Sequence, residues 1–239
     1  MEIFDSLTLK AKGLLSSFAA RPLPFPVSWP IPSCDPMLFK SDTAFELGCD
    51  RHSGISSLFV TSTEGLIPND SLLLVGDPIQ SLHQNGSYAK MVFVEVDESK
   101  LGDTKEALFQ NLRRVDAIRY RVRAEGVMTR ISPLEKKETL RIGKEALKKG
   151  FDFDAYGSLL LNAYREMPLI KKVSVVFVTD PSFPFEELRA INEQVDERTK
   201  ALDHLLRDVK MDCHVCKLQP VCKDVEEAIK TDFAKEKNQ

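Results

Sequence analysis

The spacing of apolar residues changes character several times along the chain, and each change marks an element. Residues 6–20 carry apolar positions at mixed helical spacing. Pro22, Pro24, Pro26, Pro30, Pro32 and Pro36 then deny the backbone its donors, so 22–36 is expected to be an extended lead-in. That run reads either as a proline-rich ligand for a partner's aromatic groove or as a rigid connection packed on its own domain; the second reading is preferred. From Asp42 the period becomes that of sheet, and strands are predicted at 45–47, 55–61, 71–75 and 89–96. Residues 104–122 read as helix: Leu108, Leu112, Val115, Ile118 and Val122 step by three or four, Asp103 or Thr104 can cap the start, and Gly126 ends the segment. Two more helices are predicted, over 133–149, closed by Gly150, and over 152–166, capped by Asp152 or Asp154 and stopped before Pro168. The β-branched run 173–179 predicts a buried central strand. A long charged helix over 185–209 leads into a cysteine-rich segment, and the charged tail 230–239 should fray.

The expected fold class is α+β: a mixed, largely antiparallel sheet of about five strands, with helices inserted between the fourth and fifth. Residues 1–209 would form the body and 210–239 the cysteine-rich segment. With 239 residues, 43% of them hydrophobic, the chain can bury a substantial core. Thirty-three basic against thirty-six acidic residues leave a net charge of -3, so no global positive field invites nucleic acid. No apolar run approaches the roughly 20 residues of a membrane-spanning helix. The acidic start Met1-Glu2-Ile3-Phe4-Asp5 does not resemble a secretory signal, so a cytoplasmic protein is expected.

Five cysteines, three of them between 213 and 222, suit reduced thiolates serving a metal better than a disulfide framework. Cys213, Cys216 and Cys222 form a C-x2-C-x5-C array. Sulfur donors at this density fit an iron–sulfur cluster or zinc, each metal wanting four ligands. A fourth ligand could be Cys49 or Cys34, a histidine (His214 or His52) if zinc is bound, or an exogenous group. Three reduced cysteines without metal are the plainer alternative.

Arg113, Arg114, Arg119, Arg121 and Arg123 form a second signal, since guanidinium forks grip phosphates and carboxylates bidentately. At about 100° per residue only some of them can share a helix face, and a solvated, ion-paired face is the simpler reading. A third segment, 45–54, is a strand entering a turn with a dense polar set, and His52 there needs no catalytic role. His83 and His204 read as surface residues. No GxxxxGK[ST], GxGxxG after a strand, or GxSxG is present, which removes nucleotide kinases, dinucleotide oxidoreductases of the usual type and α/β-hydrolases from the front rank.

Several short motifs, taken in order, resemble the central domain of acetyl-CoA synthase, the β subunit of the carbon monoxide dehydrogenase/acetyl-CoA synthase complex. They are Phe45-Glu46-Leu47-Gly48, the arginine-rich helix followed by Ala124-Glu125-Gly126-Val127-Met128, then Lys149-Gly150-Phe151, the strand 173–179, and Asp196-Glu197-Arg198 ahead of the cysteines. The resemblance spans roughly 42–222. It implies that Cys213, Cys216 and Cys222 match ligands of a 4Fe–4S cluster. The family's fourth cluster cysteine and its nickel-chelating Cys-Gly-Cys have no counterpart in this sequence, so nickel is not expected, with zinc as a substitute metal. It also implies that the arginine-rich helix contacts coenzyme A or a partner protein.

The expected function is therefore that of a truncated family member in anaerobic one-carbon and corrinoid metabolism. It would dock a corrinoid iron–sulfur protein, a ferredoxin or a methyltransferase and carry an iron–sulfur cluster, without full acetyl-CoA synthase activity. Two alternatives stand beside it: a catalytic subunit for acetyl or methyl transfer that completes its metal site with a partner chain, and a zinc-bound or metal-free scaffold. A homodimer is compatible with each, and in the iron–sulfur reading it could share one cluster.

Overall fold

The computed structural model of the protein describes residues 2–102, 104–132, 137–206 and 216–236. In chain order its main elements are α1 (Asp5–Ser16), β1 (Arg21–Pro22), β2 (Thr43–Leu47), β3 (Ile55–Thr61), β4 (Ser71–Val75), β5 (Ala89–Val96) and α2 (Lys105–Arg121). They continue with β6 (Val127–Ser132), β7 (Lys137–Gly143), α3 (Lys144–Lys148), α4 (Phe153–Arg165), β8 (Ile170–Val178), α5 (Phe185–Leu206) and α6 (Gln219–Glu236).

The fold is α+β, as expected, with a five-stranded mixed sheet in the order β1-β4-β8-β5-β3. β3 runs parallel to β5 and β4 parallel to β8, while β5–β8 and β1–β4 are antiparallel. Strands β5 and β8 are interior, and where both faces are covered, over 89–96 and 173–178, their sequences are mostly apolar rather than alternating. One face, carrying Ile55, Phe59, Met91, Phe93, Val176 and Val178, packs under α1 and α5 through Leu7, Ala11 and Leu188. The opposite face, carrying Leu72, Leu74, Val92, Val94, Val175 and Phe177, packs under α4. Phe177 stacks there on Phe153, ring centroids 4.6 Å apart, and on Tyr156 at 5.7 Å.

A second, antiparallel sheet, β2-β7-β6, joins that second core through Phe45, Leu47, Val127, Leu140 and Ile142. Two expectations are corrected here. The 45–47 strand belongs to this small sheet and not to the main one. Residues 133–149 read as helix, yet 137–143 is strand β7 and, among the described residues of that range, 144–148 is helical; 133–136 lie outside the described residues. Glu138, Leu140 and Ile142 face inward while Lys137, Thr139 and Arg141 do not, a period of two that short apolar runs do not distinguish from helix. Gly126 likewise does not cap α2, which ends at Arg121; it occupies a turn with φ +74° that leads into β6.

The proline-rich lead-in is packed on its own domain. Leu23, Phe25, Val27 and Trp29 turn toward the core while Pro24, Pro26, Ser28 and Pro30 face out. Val27 donates its amide to Ser158 Oγ at 2.8 Å, and Trp29 Nε1 donates to Glu125 O at 3.0 Å. Helix α4 approaches the main sheet at Gly157, where an added Cβ would stand 2.2 Å from Leu72 Cδ1 and 2.9 Å from its Cγ. In Gly157→Ala, the helix-propensity gain of about 1 kcal/mol opposes an overpacking cost of about 1–3 kcal/mol. Because Leu72 is fully buried and cannot swing out, we expect the clash to win and the thermal midpoint to fall by a few degrees. A raised midpoint would show that the helix shifts freely on the sheet.

Candidate functional site

Three regions carry chemistry. The first is built by α2, whose start is capped by Thr104 Oγ1 accepting from Ala107 N at 3.2 Å and whose Val115 and Ile118 face the core. The helical rotation fans its arginines apart. Arg113, Arg114 and Arg121 are exposed. Arg119 turns inward: Nη1 donates to Ser56 O of edge strand β3 at 2.8 Å, and Nη2 pairs with Asp116 at 2.7 Å. Arg123, beyond the helix, pairs with Asp35 of the lead-in at 2.5 Å. The five are thus not gathered on one face. Between α2, α5 and the β3 edge lies a cleft of about 140 Å³, lined by Leu58, Val60 and Leu112 together with Arg113, Asp116 and Arg119.

The second region is a buried polar seam between the two sheets. Lys90 of β5 and Glu138 of β7, 0% and 2% exposed, are joined by Nζ–Oε1 at 2.6 Å. The Lys90 ammonium lies 5.8 Å from the centre of the Tyr156 ring. Burial alone would lower the Lys90 pKa, but the Glu138 carboxylate more than reverses this and holds it above the ordinary lysine value. Tyr88 is also fully buried, and burial together with the Glu138 charge drives its pKa well up, so its hydroxyl stays protonated. The sequence reading passed over this seam. Its signal was a lysine and a glutamate, Lys90 and Glu95, inside the otherwise apolar run of β5.

Beside the seam, the 48–54 turn is held by Asp50, which accepts from the amides of His52 (2.8 Å) and Ser53 (2.7 Å) and from the Ser53 hydroxyl. Burial works to raise the Asp50 pKa, but the Ser53 and His52 hydrogen bonds outweigh it and hold the carboxyl below its usual range. His52 Nδ1 meets Glu186 Oε1 of α5 at 2.9 Å on the surface, a hydrogen-bonded turn histidine.

The third region holds the cysteines. Cys216 is half-buried just before α6, its carbonyl accepting from Gln219 N at 3.1 Å. Cys222, in the first turn of α6, packs with Val221 and Leu205 beside the buried Ala201, Leu202 and Val225, which anchors α6 on α5. Cys49 lies exposed in the 48–54 turn, its thiol donating to Glu46 O at 3.7 Å. Cys213 and His214 fall outside the described residues. Among the described residues no three His, Cys, Asp or Glu side chains form a group that could hold a metal ion, and no helix is long and apolar enough to cross a membrane.

A sequence profile of the family described as the CO dehydrogenase/acetyl-CoA synthase complex beta subunit matches residues 36–183, from the end of the lead-in to the turn before α5. The chain is 30% identical over 154 residues to acetyl-CoA decarbonylase/synthase complex subunit beta 2 of Methanocaldococcus jannaschii, covering 62% of this chain and 31% of that protein. It is 27% identical over 154 residues to subunit beta 1 of the same organism, covering 62% and 19%. With subunit beta 2 of Methanosarcina acetivorans it shares 26% identity over 155 residues, covering 63% and 32%. The match therefore spans about a third or less of each relative's length. It includes every strand of the two sheets except β1, the arginine-bearing helix and the Lys90–Glu138 seam, and stops short of the three clustered cysteines. With well over half of its residues under that profile, the chain belongs to the CO dehydrogenase/acetyl-CoA synthase complex beta subunit family.

Proposed function

We propose that the chain works as a docking and iron–sulfur module of an acetyl-CoA synthase-type complex, meeting a corrinoid iron–sulfur protein, a ferredoxin or a methyltransferase. The observation that carries this reading is positional. The family match lies on the two-sheet body, and the cysteine-bearing segment beyond it is anchored to that body by Val225 against Ala201 and Leu202.

The donor set suits the group. Cys213, Cys216 and Cys222 offer soft sulfur, which iron–sulfur clusters select. Cys216 lies just before α6 and Cys222 in its first turn, which brings two of the three sulfurs to one end of that helix. A bound cluster would supply one-electron transfer. The chain's own part is to hold those thiolates against the body and to present the exposed Arg113, Arg114 and Arg121 to an acidic partner surface or to coenzyme A.

The test is metal and acid-labile sulfide content of protein purified without oxygen. About four iron and four sulfide are expected per chain, or per dimer if one cluster is shared. Stoichiometric nickel would favour the catalytic alternative, and no iron after anaerobic reconstitution would overturn the cluster. Cys216→Ser should abolish the cluster absorbance while leaving the circular dichroism spectrum unchanged, because Cys216 lies outside all three apolar cores. Cys222→Ser is the less clean probe, since Cys222 also packs on the α5–α6 junction.

A further inference from the structure

The helix that carries Cys222 is held to the body by a small apolar cluster of its own. Ala201 and Leu202 of α5 and Val225 of α6 are the buried centre of that cluster. Val221 and Cys222 of α6 pack on it from one side, and Leu108, Phe109 and Leu112 of α2 from the other. The three α2 residues differ in one respect. Leu108 and Leu112 also pack against the core under α4, which holds the helix in place whatever α6 does, whereas Phe109 joins the α5–α6 cluster and neither of the two larger cores.

Phe109 also meets the docking face. One helical turn further on, the Arg113 guanidinium lies 5.4 Å from the centre of its ring, and Arg113 is one of the exposed arginines. A single aromatic side chain thus stands between a docking arginine and the cysteine-bearing helix.

A unit with three fully buried residues opens locally more readily than the two sheets do. Binding a metal through Cys216 and Cys222 requires the start of α6 to be formed. The binding free energy therefore adds to the stability of that unit and of what packs with it.

We propose that metal loading of the cysteine segment stiffens the first half of α2 through Phe109, so that the metal-loaded chain is the form prepared to dock. The inference rests on the metal reading above and adds a regulation to it. No displacement of α2 is needed: a helix already ordered by the metal loses less conformational freedom when a partner binds, and by linkage the partner favours the metal in turn.

Zinc, which thiolates also bind, is the probe, added to the reduced full chain. Its affinity is read by competition with a chromophoric chelator, and amide exchange is followed by mass spectrometry. Saturating zinc should slow exchange at least about tenfold, the equivalent of 1.4 kcal/mol, in both 219–227 and 105–113. Helix α3, which has no residue in the cluster, should be unchanged. Phe109→Ala should still bind zinc and protect 219–227 but lose the protection of 105–113. Phe109→Leu, which keeps an apolar side chain in the cluster, should retain it and covers the case in which the alanine variant loosens α2 by itself. Protection of 219–227 alone in the wild type would overturn the coupling and leave the metal reading standing. So would protection of 105–113 that persists in Phe109→Ala, or equal slowing in α3. No zinc binding at all would overturn both.

Discussion

Glu138→Ala should lose about 3–5 kcal/mol of stability, the usual result of stranding one member of a buried ion pair. Lys90 is fully buried, and its Nζ has one carboxylate, at 2.6 Å, with the Arg119 carbonyl a distant second contact at 3.5 Å. Removing Glu138 leaves an ammonium without a counter-charge between two sheets, where water cannot replace the lost partner. Replacing both partners, as Lys90→Met with Glu138→Leu, should recover most of the loss, since the desolvation cost of both charges disappears with them. Urea denaturation of the three proteins measures this directly. If the single and double variants were equally unstable, the seam would owe its stability to side-chain shape and not to charge.

The pH dependence of that pair has a definite sign. The folded-state pKa of Lys90 is raised above its ordinary value, so the stabilisation is fully present below that value and is lost as pH rises through the folded-state one. In Glu138→Ala burial acts on Lys90 with no carboxylate to oppose it and lowers its pKa, so the variant should regain stability as pH rises toward the unfolded lysine value of about 10.4. Its gap to wild type should be largest near neutral pH and narrow on the way up. A gap that widened steadily from about pH 7 to 10 would contradict the assignment.

Gly54→Ala is expected to be the second large effect. Gly54 has φ +82°, and a Cβ on it would stand 2.4 Å from Gly48 O and 2.9 Å from Glu138 O. The same residue donates its amide to Tyr88 O at 2.7 Å and accepts from Glu138 N at 2.7 Å, so the 48–54 turn cannot retreat without breaking bonds that join the two sheets. The left-handed backbone costs about 1–2 kcal/mol for a side chain, and each backbone hydrogen bond lost adds about 0.5–1.5 kcal/mol, so a total above about 3 kcal/mol is expected. Gly65→Ala is the control. Gly65 has nearly the same φ, +83°, with nothing within 4 Å of the added Cβ, so only the conformational part should appear. Equal losses at the two positions would mean that close approach to Glu138 is unimportant.

Local signals carried much of the fold. The runs at 55–61, 71–75 and 89–96 are strands because β-branched and apolar residues of that length lie between turn residues. Asp152 caps α4 and Thr104 caps α2, each identifiable from its place before a periodic apolar stretch. The error at 133–149 has the opposite origin: Leu140 and Ile142 fit either period, and the partner strands that settle the matter, β2 and β6, are supplied from elsewhere in the chain. The assignment of 45–47 to the wrong sheet is of the same kind, because strand pairing is not a local property.

For the candidate sites the division is similar. The C-x2-C-x5-C spacing, the arginine count and the family's ordered motifs are covalent or compositional facts, and each could be read without coordinates. Which arginine faces solvent and which is committed to Ser56 and Asp116 depends on where α2 lands against β3. The Lys90–Glu138 pair joins residues 48 positions apart on different sheets, and the cleft draws its walls from residues as distant as Phe4 and Asp203. By itself the sequence determined element type wherever period, length and capping agreed, together with the chain's family. Only the tertiary structure decided which polar groups meet, because burial and pairing between distant segments are set by packing and leave no mark within a local window.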